Sequence, residues 1–129
     1  MKNFIITLLF VVSPFIEATN LNTTYLKELK EIKTVSGKGD NKLFKLITDS
    51  AQELSVDWSP ELAQELARVF NSLLEVNQNS FLVELLSPVL ETRAKKFRPI
   101  LYKTLSKKNK KAYEAMKKRN QEESKRGNG

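Results

Sequence analysis

The stretch DWSPELAQELARVFNSLLEV, residues 57–76, decides the fold class because it carries both the start signals and the periodicity of an α-helix. The Ser59 hydroxyl can cap the first turn. Pro60 follows at the first helical position, where an N–H group would have no partner within the helix. Behind them, apolar residues recur at alternating spacings of four and three: Leu62, Leu66, Val69, Leu73 and Val76. This spacing predicts a helix that buries one face against a core.

The segments on either side continue the helical pattern. Before it, Asp40 is a suitable N-cap for a helix over residues 41–56, whose apolar positions also recur every three or four residues. After it, residues 81–105 carry a wide apolar stripe that contains Pro88 and Pro99. Because proline removes a backbone donor and clashes with the preceding turn, each should kink or break the helix. The serine before Pro88 favours a fresh helix start at that point.

These patterns define the fold class. No sustained alternation typical of a strand occurs, so the chain is predicted to be all-α. The expected architecture is a small helical bundle of three to five helices, with its helical core in residues 41–106. Residues 19–40 are expected to form a flexible N-terminal segment, with room for a short helix and a glycine-containing loop at its end. Residues 107–129 are expected to follow the core as a basic tail.

The first twenty residues, MKNFIITLLFVVSPFIEATN, indicate export. Lys2 precedes an apolar run over residues 4–12, and Ala18 supplies a small residue for cleavage. These are the parts of a secretory signal peptide. The run is much shorter than the about 20 apolar residues of a membrane-spanning helix. We therefore expect residues 1–18 to be a cleaved signal peptide and the protein to be periplasmic or secreted.

Charge is distributed unevenly along the chain. The 22 Lys and Arg residues outnumber the 15 Asp and Glu residues, which gives a formal net charge of +7. Residues 46–92 nevertheless carry eight carboxylates against Arg68 alone, whereas residues 93–129 carry fourteen basic residues against three glutamates. The acidic middle argues against uniform binding of polyanions, and such a dipolar distribution would also allow self-association.

The residue types restrict the chemistry that the protein can perform. Histidine and cysteine are both absent, which excludes histidine-activated nucleophiles, thiol catalysis and the common zinc and iron–sulfur ligand sets. Glu61 and Glu65 share one helix face and are the candidates for a carboxylate pair that hydrolyses cell-wall glycan. Glutamates at this spacing are far more often a solvated face. We therefore predict that the protein is not an enzyme and has no catalytic residue, metal site, cofactor or small-molecule substrate.

The basic C-terminal region is the candidate binding site. Beyond Ser106 the apolar pattern thins out, so residues 107–129 are expected to form a partly disordered tail that contributes to binding rather than stability. The candidate partner-binding residues are Arg93, Lys95, Lys96, Arg98, Lys107, Lys108, Lys110, Lys111, Lys117, Lys118 and Arg119.

An acidic protein surface is the favoured partner, which makes the protein an adaptor, regulator or chaperone-like partner of an envelope component. An apolar helix face around Leu85, Leu86 and Val89 would assist such binding. The alternative is a protein that binds a polyanion or an anionic membrane surface, near which each lysine contributes about 1 kcal/mol. Nucleic acid is disfavoured because a signal peptide directs the protein away from it, although Phe97, Tyr102 and Tyr113 lie among the lysines as candidates for stacking. A cell-wall glycan hydrolase is the third and weakest hypothesis.

Overall fold

The structure of the chain is a computed structural model that describes residues 21–128, with side chains up to Arg126. The described residues form six α-helices and one 3-10 helix, and they contain no strand. In chain order these are α1 (residues 21–31 in its described part), α2 (Asn41–Val56), α3 (Pro60–Val76), the 3-10 helix (Ser80–Leu86), α4 (Ser87–Thr92), α5 (Ala94–Thr104) and α6 (Lys107–Asn128). The all-α prediction is confirmed, whereas the predicted three to five helices are too few.

The N-terminal part of the chain packs on the core where it is described. The expected signal peptide, residues 1–18, lies outside the described residues. In α1, Leu29 is fully buried, and its carbonyl accepts a hydrogen bond from Arg68 Nη2 at 2.8 Å. The prediction of a flexible N-terminal segment is therefore not confirmed. Across residues 21–128, no helix combines the length and the apolar content needed to cross a membrane.

α3 is the centre of the fold, and it begins as predicted. The Ser59 hydroxyl accepts a hydrogen bond from the Leu62 amide at 3.3 Å, and Pro60 is the first helical residue. Eight side chains of α3 are fully buried: Leu62, Ala63, Leu66, Ala67, Val69, Phe70, Leu73 and Leu74. Val76, the last residue of the predicted apolar face, is exposed instead. α3 packs against α2, α5 and α6, so it connects the two halves of the chain.

α2 also begins at its predicted cap. The Asp40 carboxylate accepts a hydrogen bond from the Leu43 amide at 2.7 Å. In the loop before it, Gly39 has a φ of +82°, and a Cβ at this position would lie 3.0 Å from Leu73 Cδ1. Glycine is therefore required both by the backbone conformation and by the close approach of the loop to α3.

The two prolines of the downstream segment have different effects. α4 begins at the serine before Pro88, which confirms the predicted fresh helix start. Pro99 lies inside α5 and does not end it. The chain instead breaks at Arg93, whose φ and ψ are −128° and 33°. Pro99 is exposed and removes one hydrogen bond of the helix, but the buried side chains of Phe97 and Leu101 on either side hold α5 on the core.

The C-terminal region differs most from the prediction. Residues 107–128 form α6, and the Tyr113 and Met116 side chains are buried in the same core as α3. Asn109 is also buried, so residues 109, 113 and 116 form one helix face at spacings of four and three. The predicted partly disordered tail is not confirmed, because this face packs against α3 and the 3-10 helix. The core thus extends beyond residues 41–106 at both ends.

Candidate functional site

The eleven predicted partner-binding residues fall into three groups on and next to α5 and α6. The first group, around the start of α5, comprises Arg93, Lys95, Lys96 and Arg98. The second, which we call the lysine cluster, lies in the first two turns of α6 and comprises Lys107, Lys108, Lys110 and Lys111. The third, in the middle of α6, comprises Lys117, Lys118 and Arg119. The three groups have different surroundings: nine of the eleven residues are exposed, whereas Arg93 and Lys117 are partly buried.

The lysine cluster is presented to solvent by a helix start that is fixed to the core. All four of its side chains are exposed, and among residues 21–126 none of them forms an ion pair. Asn109, in the middle of the cluster, is buried. Its side-chain amide donates to the Asn71 side-chain oxygen at 2.8 Å and to a Glu75 carboxylate oxygen at 2.9 Å, both on α3. The Ser106 hydroxyl caps α6 by accepting from the Asn109 amide at 3.1 Å.

Part of the first group is engaged in the fold. Lys96 Nζ lies 5.7 Å from the centre of the Trp58 ring, within the range of cation–π attraction. Arg93 lies at the break between α4 and α5, and its Nε is buried with no hydrogen-bond partner among the described residues. Lys95, Lys96 and Arg98 are exposed. These three are the most accessible members of the first group.

Arg119 holds α6 on the core. Its Nη2 donates to the Gln78 carbonyl at 2.8 Å, in the loop before the 3-10 helix. Four residues further along α6, the Glu123 carboxylate accepts a hydrogen bond from the Ser80 hydroxyl at 3.2 Å. The two contacts join the second half of α6 to the loop before the 3-10 helix and to its first residue. Lys118, beside Arg119, is exposed and has no such contact among the described residues.

Lys117 and Arg98 line one cleft of about 210 Å³, together with Tyr102 and Tyr113. Lys117 Nζ donates to the Tyr102 hydroxyl at 3.1 Å and lies 3.4 Å from a Glu114 carboxylate oxygen. It also lies 5.9 Å and 5.3 Å from the ring centres of the two tyrosines. From sequence, the tyrosines stand out only as candidates for stacking, and Glu114 does not stand out. The sequence signal that could have identified these residues is a spacing of four, from Arg98 to Tyr102 and from Tyr113 to Lys117. This spacing places each pair on one helix face.

The charges in this cleft leave it with one net positive charge. Burial, followed by the hydrogen bond that its hydroxyl donates to Glu114, raises the pKa of Tyr102 to about 12. Burial also raises the pKa of Tyr113 to about 12, although the positive charge of Lys117 opposes this rise. The hydrogen bond from Tyr102 and the charge of Lys117 lower the pKa of Glu114. At neutral pH both phenols are therefore uncharged donors, and Glu114 offsets one of the two cations, Arg98 and Lys117.

The apolar face expected to assist binding is not available to a partner. Leu86 and Val89 are fully buried in the core, and Leu85 is half-buried against it. This face packs inward because α4 and the 3-10 helix both contact α2. A partner therefore meets charged and polar side chains on α5 and α6.

The carboxylate pair considered for glycan hydrolysis has structural contacts. The Glu65 carboxylate accepts a hydrogen bond from Arg68 Nε at 2.6 Å, and Glu61 is exposed in the first turn of α3. In the part of the chain that the structure describes, no group of three or more acidic side chains is placed to hold a metal ion. These observations add no support to the hydrolase hypothesis.

Comparisons of the chain with protein-family models, with curated proteins and with solved structures found no match. The assignment of a function therefore depends on the residues of this chain.

Proposed function

We propose that this chain is an exported, non-catalytic binding protein whose basic surface on α5 and α6 engages an acidic protein of the cell envelope. The lysine cluster is the observation that supports the proposal most strongly. Four exposed lysines, without ion pairs among residues 21–126, occupy two turns of a helix that is fixed to the core. Export is supported by the signal-peptide pattern of residues 1–18. The protein would act as an adaptor, regulator or chaperone-like partner.

The lysine cluster opposes the stability of its own helix. Lys107 lies three and four residues from Lys110 and Lys111, and like charges at such spacings cost roughly 0.2–0.5 kcal/mol per pair. The first turn of α6 contains no acidic residue of its own, and the carboxylate nearest to it along the described contacts is that of Glu75 on α3, which Asn109 contacts. Further carboxylates, from a partner, would reduce the repulsion between the lysines. The charge arrangement therefore favours binding over a purely solubilising role.

A protein partner accounts for this surface better than a membrane does. The exposed large apolar side chains among the described residues are Leu21, Val56, Val76 and Phe81, and none of them lies on α5 or α6. Stable membrane binding needs an apolar face or a lipid anchor in addition to basic residues. Anionic vesicles and nucleic acid are therefore the competing outcomes of the test below.

Affinity capture with two matched variants tests the proposal. The immobilised protein is incubated with the envelope fraction of cells that produce it, and the retained proteins are identified by mass spectrometry. The first variant, here the cluster variant, carries Lys107→Gln, Lys108→Gln, Lys110→Gln and Lys111→Gln. The second, here the control variant, carries Lys27→Gln, Lys30→Gln, Lys33→Gln and Lys42→Gln, which are also exposed positions and remove the same charge.

We expect an acidic protein that the wild type and the control variant retain and the cluster variant loses. Equal retention by the two variants would show that the lysine cluster is not the binding site. Binding of the wild type to phosphatidylglycerol vesicles or to an oligonucleotide, with no protein retained, would also overturn the proposal.

A further inference from the structure

The cleft shared by Arg98 and Lys117 brings polar donors of α5 and α6 together with apolar residues of two other elements. Leu90 of α4 and Val83 of the 3-10 helix line it, as do residues of α5 and α6. Asn120, one turn after Lys117, adds a side-chain amide. Its volume of about 210 Å³ is below the about 300–1,000 Å³ of sites for drug-sized ligands. The cleft therefore suits a single side chain or a small acid and is too small for a nucleotide.

Tyr113 provides a hydrogen-bond donor that the fold does not use. Only 2% of the residue is exposed, and its ring packs edge-on against Phe70 at 5.9 Å and Tyr102 at 6.0 Å between ring centres. Among the described residues its hydroxyl has no hydrogen-bond partner, yet it is not one of the oxygens sealed from solvent. Tyr113 is one of the residues that line the cleft. A buried phenol without a partner in the fold, at the wall of a cleft, is a candidate donor to a ligand.

The positive charges of the cleft are only partly neutralised. Glu114 is the partner of Lys117 and also accepts the Tyr102 hydrogen bond. Arg98 is exposed and forms no ion pair among the described residues. A guanidinium, a phenol and an amide that line one cleft are the kinds of donor that a carboxylate accepts, and an arginine can bind a carboxylate with two parallel hydrogen bonds.

One residue of the lysine cluster, Lys110, lies on the same side of α6 as the cleft. Lys110 and Lys117 are seven residues apart, which places them on one helix face about 10 Å apart along the axis. A standard protein interface covers about 800 Å² on each partner, so one partner can contact both.

We propose that this cleft receives the carboxylate of an aspartate or glutamate side chain of the acidic partner. The inference rests on the proposed function and extends it by naming the contact that anchors the partner. The apolar walls, Val83 and Leu90, would contact the methylene groups of that side chain, and Arg98 and Tyr113 would bind its carboxylate. The lysine cluster would attract the acidic surface around it.

An NMR titration of the isotope-labelled protein with N-acetyl-glutamate amide tests the cleft. N-acetyl-glutamine amide is the neutral control of nearly the same shape, and inorganic phosphate distinguishes a carboxylate site from a phosphate site. We expect saturable shifts of the Asn120 and Gln121 side-chain amides with the glutamate derivative and none with the glutamine derivative. Arg98→Gln and Tyr113→Phe should each weaken the affinity by about tenfold, as expected for a hydrogen bond to a charged group. Lys125→Gln, at an exposed position of the same helix, should leave the affinity unchanged.

Each outcome separates this inference from the proposed function. The absence of saturable shifts with the glutamate derivative, or binding of phosphate at equal or higher affinity, would overturn the assignment of the cleft. If the cluster variant loses the captured partner while Arg98→Gln and Tyr113→Phe retain it, the proposed function stands and the anchoring contact is wrong. If the glutamate derivative binds but the cluster variant still captures the partner, the proposed function is wrong and the cleft remains a carboxylate site.

Discussion

Replacing Met116 by alanine should destabilise the whole protein, because α6 is part of the core. The Met116 side chain is fully buried, and truncation of a buried methionine to alanine costs about 2–5 kcal/mol. A small domain has a free energy of unfolding of only about 5–15 kcal/mol. In a domain of about 100 residues each kcal/mol lowers the Tm by about 4–8 °C, so Met116→Ala should lower the Tm by at least about 8 °C.

Thermal denaturation followed by circular dichroism measures this effect. Lys118→Ala is the matched control, because Lys118 is exposed on the same helix and such substitutions change stability by about 0.5 kcal/mol or less. A chain that ends at Ser106 should fail to fold, since it also loses the packing of Tyr113 against Phe70. If Met116→Ala melts at the wild-type temperature, or the shortened chain folds normally, α6 is a dispensable tail and the reasoning is refuted.

Three further predictions follow from other parts of the molecule. Gly39→Ala should destabilise the protein by more than the about 1–2 kcal/mol expected for Gly37→Ala. Both glycines have positive φ, but only a Cβ at position 39 would meet another side chain, at 3.0 Å from Leu73 Cδ1. Equal free energies of unfolding in urea for the Gly37→Ala and Gly39→Ala variants would contradict this packing. The raised pKa of Tyr102 and Tyr113, about 12 against an ordinary 10.0, means that the folded state holds their protons more tightly than the unfolded state. Their contribution to the free energy of unfolding should therefore be fully present below about pH 10 and be lost between about pH 10 and 12. The Tyr102→Phe, Tyr113→Phe double variant should lose less stability over this range. Export predicts a mature protein that begins near Thr19, and N-terminal sequencing of the exported protein that finds Met1 would contradict it.

The helices with local signals were predictable from sequence. Asp40 and Ser59 each accept a hydrogen bond from an amide three residues later, so the spacing along the chain is enough to specify the contact. The apolar periodicity of α3 likewise identified Leu62, Leu66 and Leu73 as buried residues. Such contacts arise within one or two helix turns and need no knowledge of the rest of the fold.

The packing of α6 was not predictable because its partners are distant in sequence. Asn109 bonds to Asn71 and Glu75, and Tyr113 packs against Phe70, all on α3. In a lysine-rich segment, an inward face of asparagine, tyrosine and methionine gives too weak an apolar periodicity to reveal burial. The burial becomes evident only when α3 is in place beside it.

The candidate site was also predictable only where it depends on local features of the sequence. The exposure of the lysine cluster follows from its charge and could be expected from sequence. The cleft depends on α5 and α6 placing Arg98 beside Lys117, nineteen residues further along the chain, and on the burial of Tyr113 between two other rings. Similarly, the hydrogen bond from Arg119 to the Gln78 carbonyl joins residues that are distant in sequence and could not be predicted.

The rate at which the captured acidic partner associates with the cluster variant is the most direct test of the proposed function. Surface plasmon resonance would compare the wild type, the cluster variant and the control variant at low and high ionic strength. Because complementary charge acts mainly on the association rate and is screened by salt, we expect the cluster variant to associate about tenfold more slowly at low salt. That difference should shrink as salt rises, and the control variant should stay within about twofold of the wild type. Equal association rates for the two variants at low salt would contradict the assignment of binding to the lysine cluster.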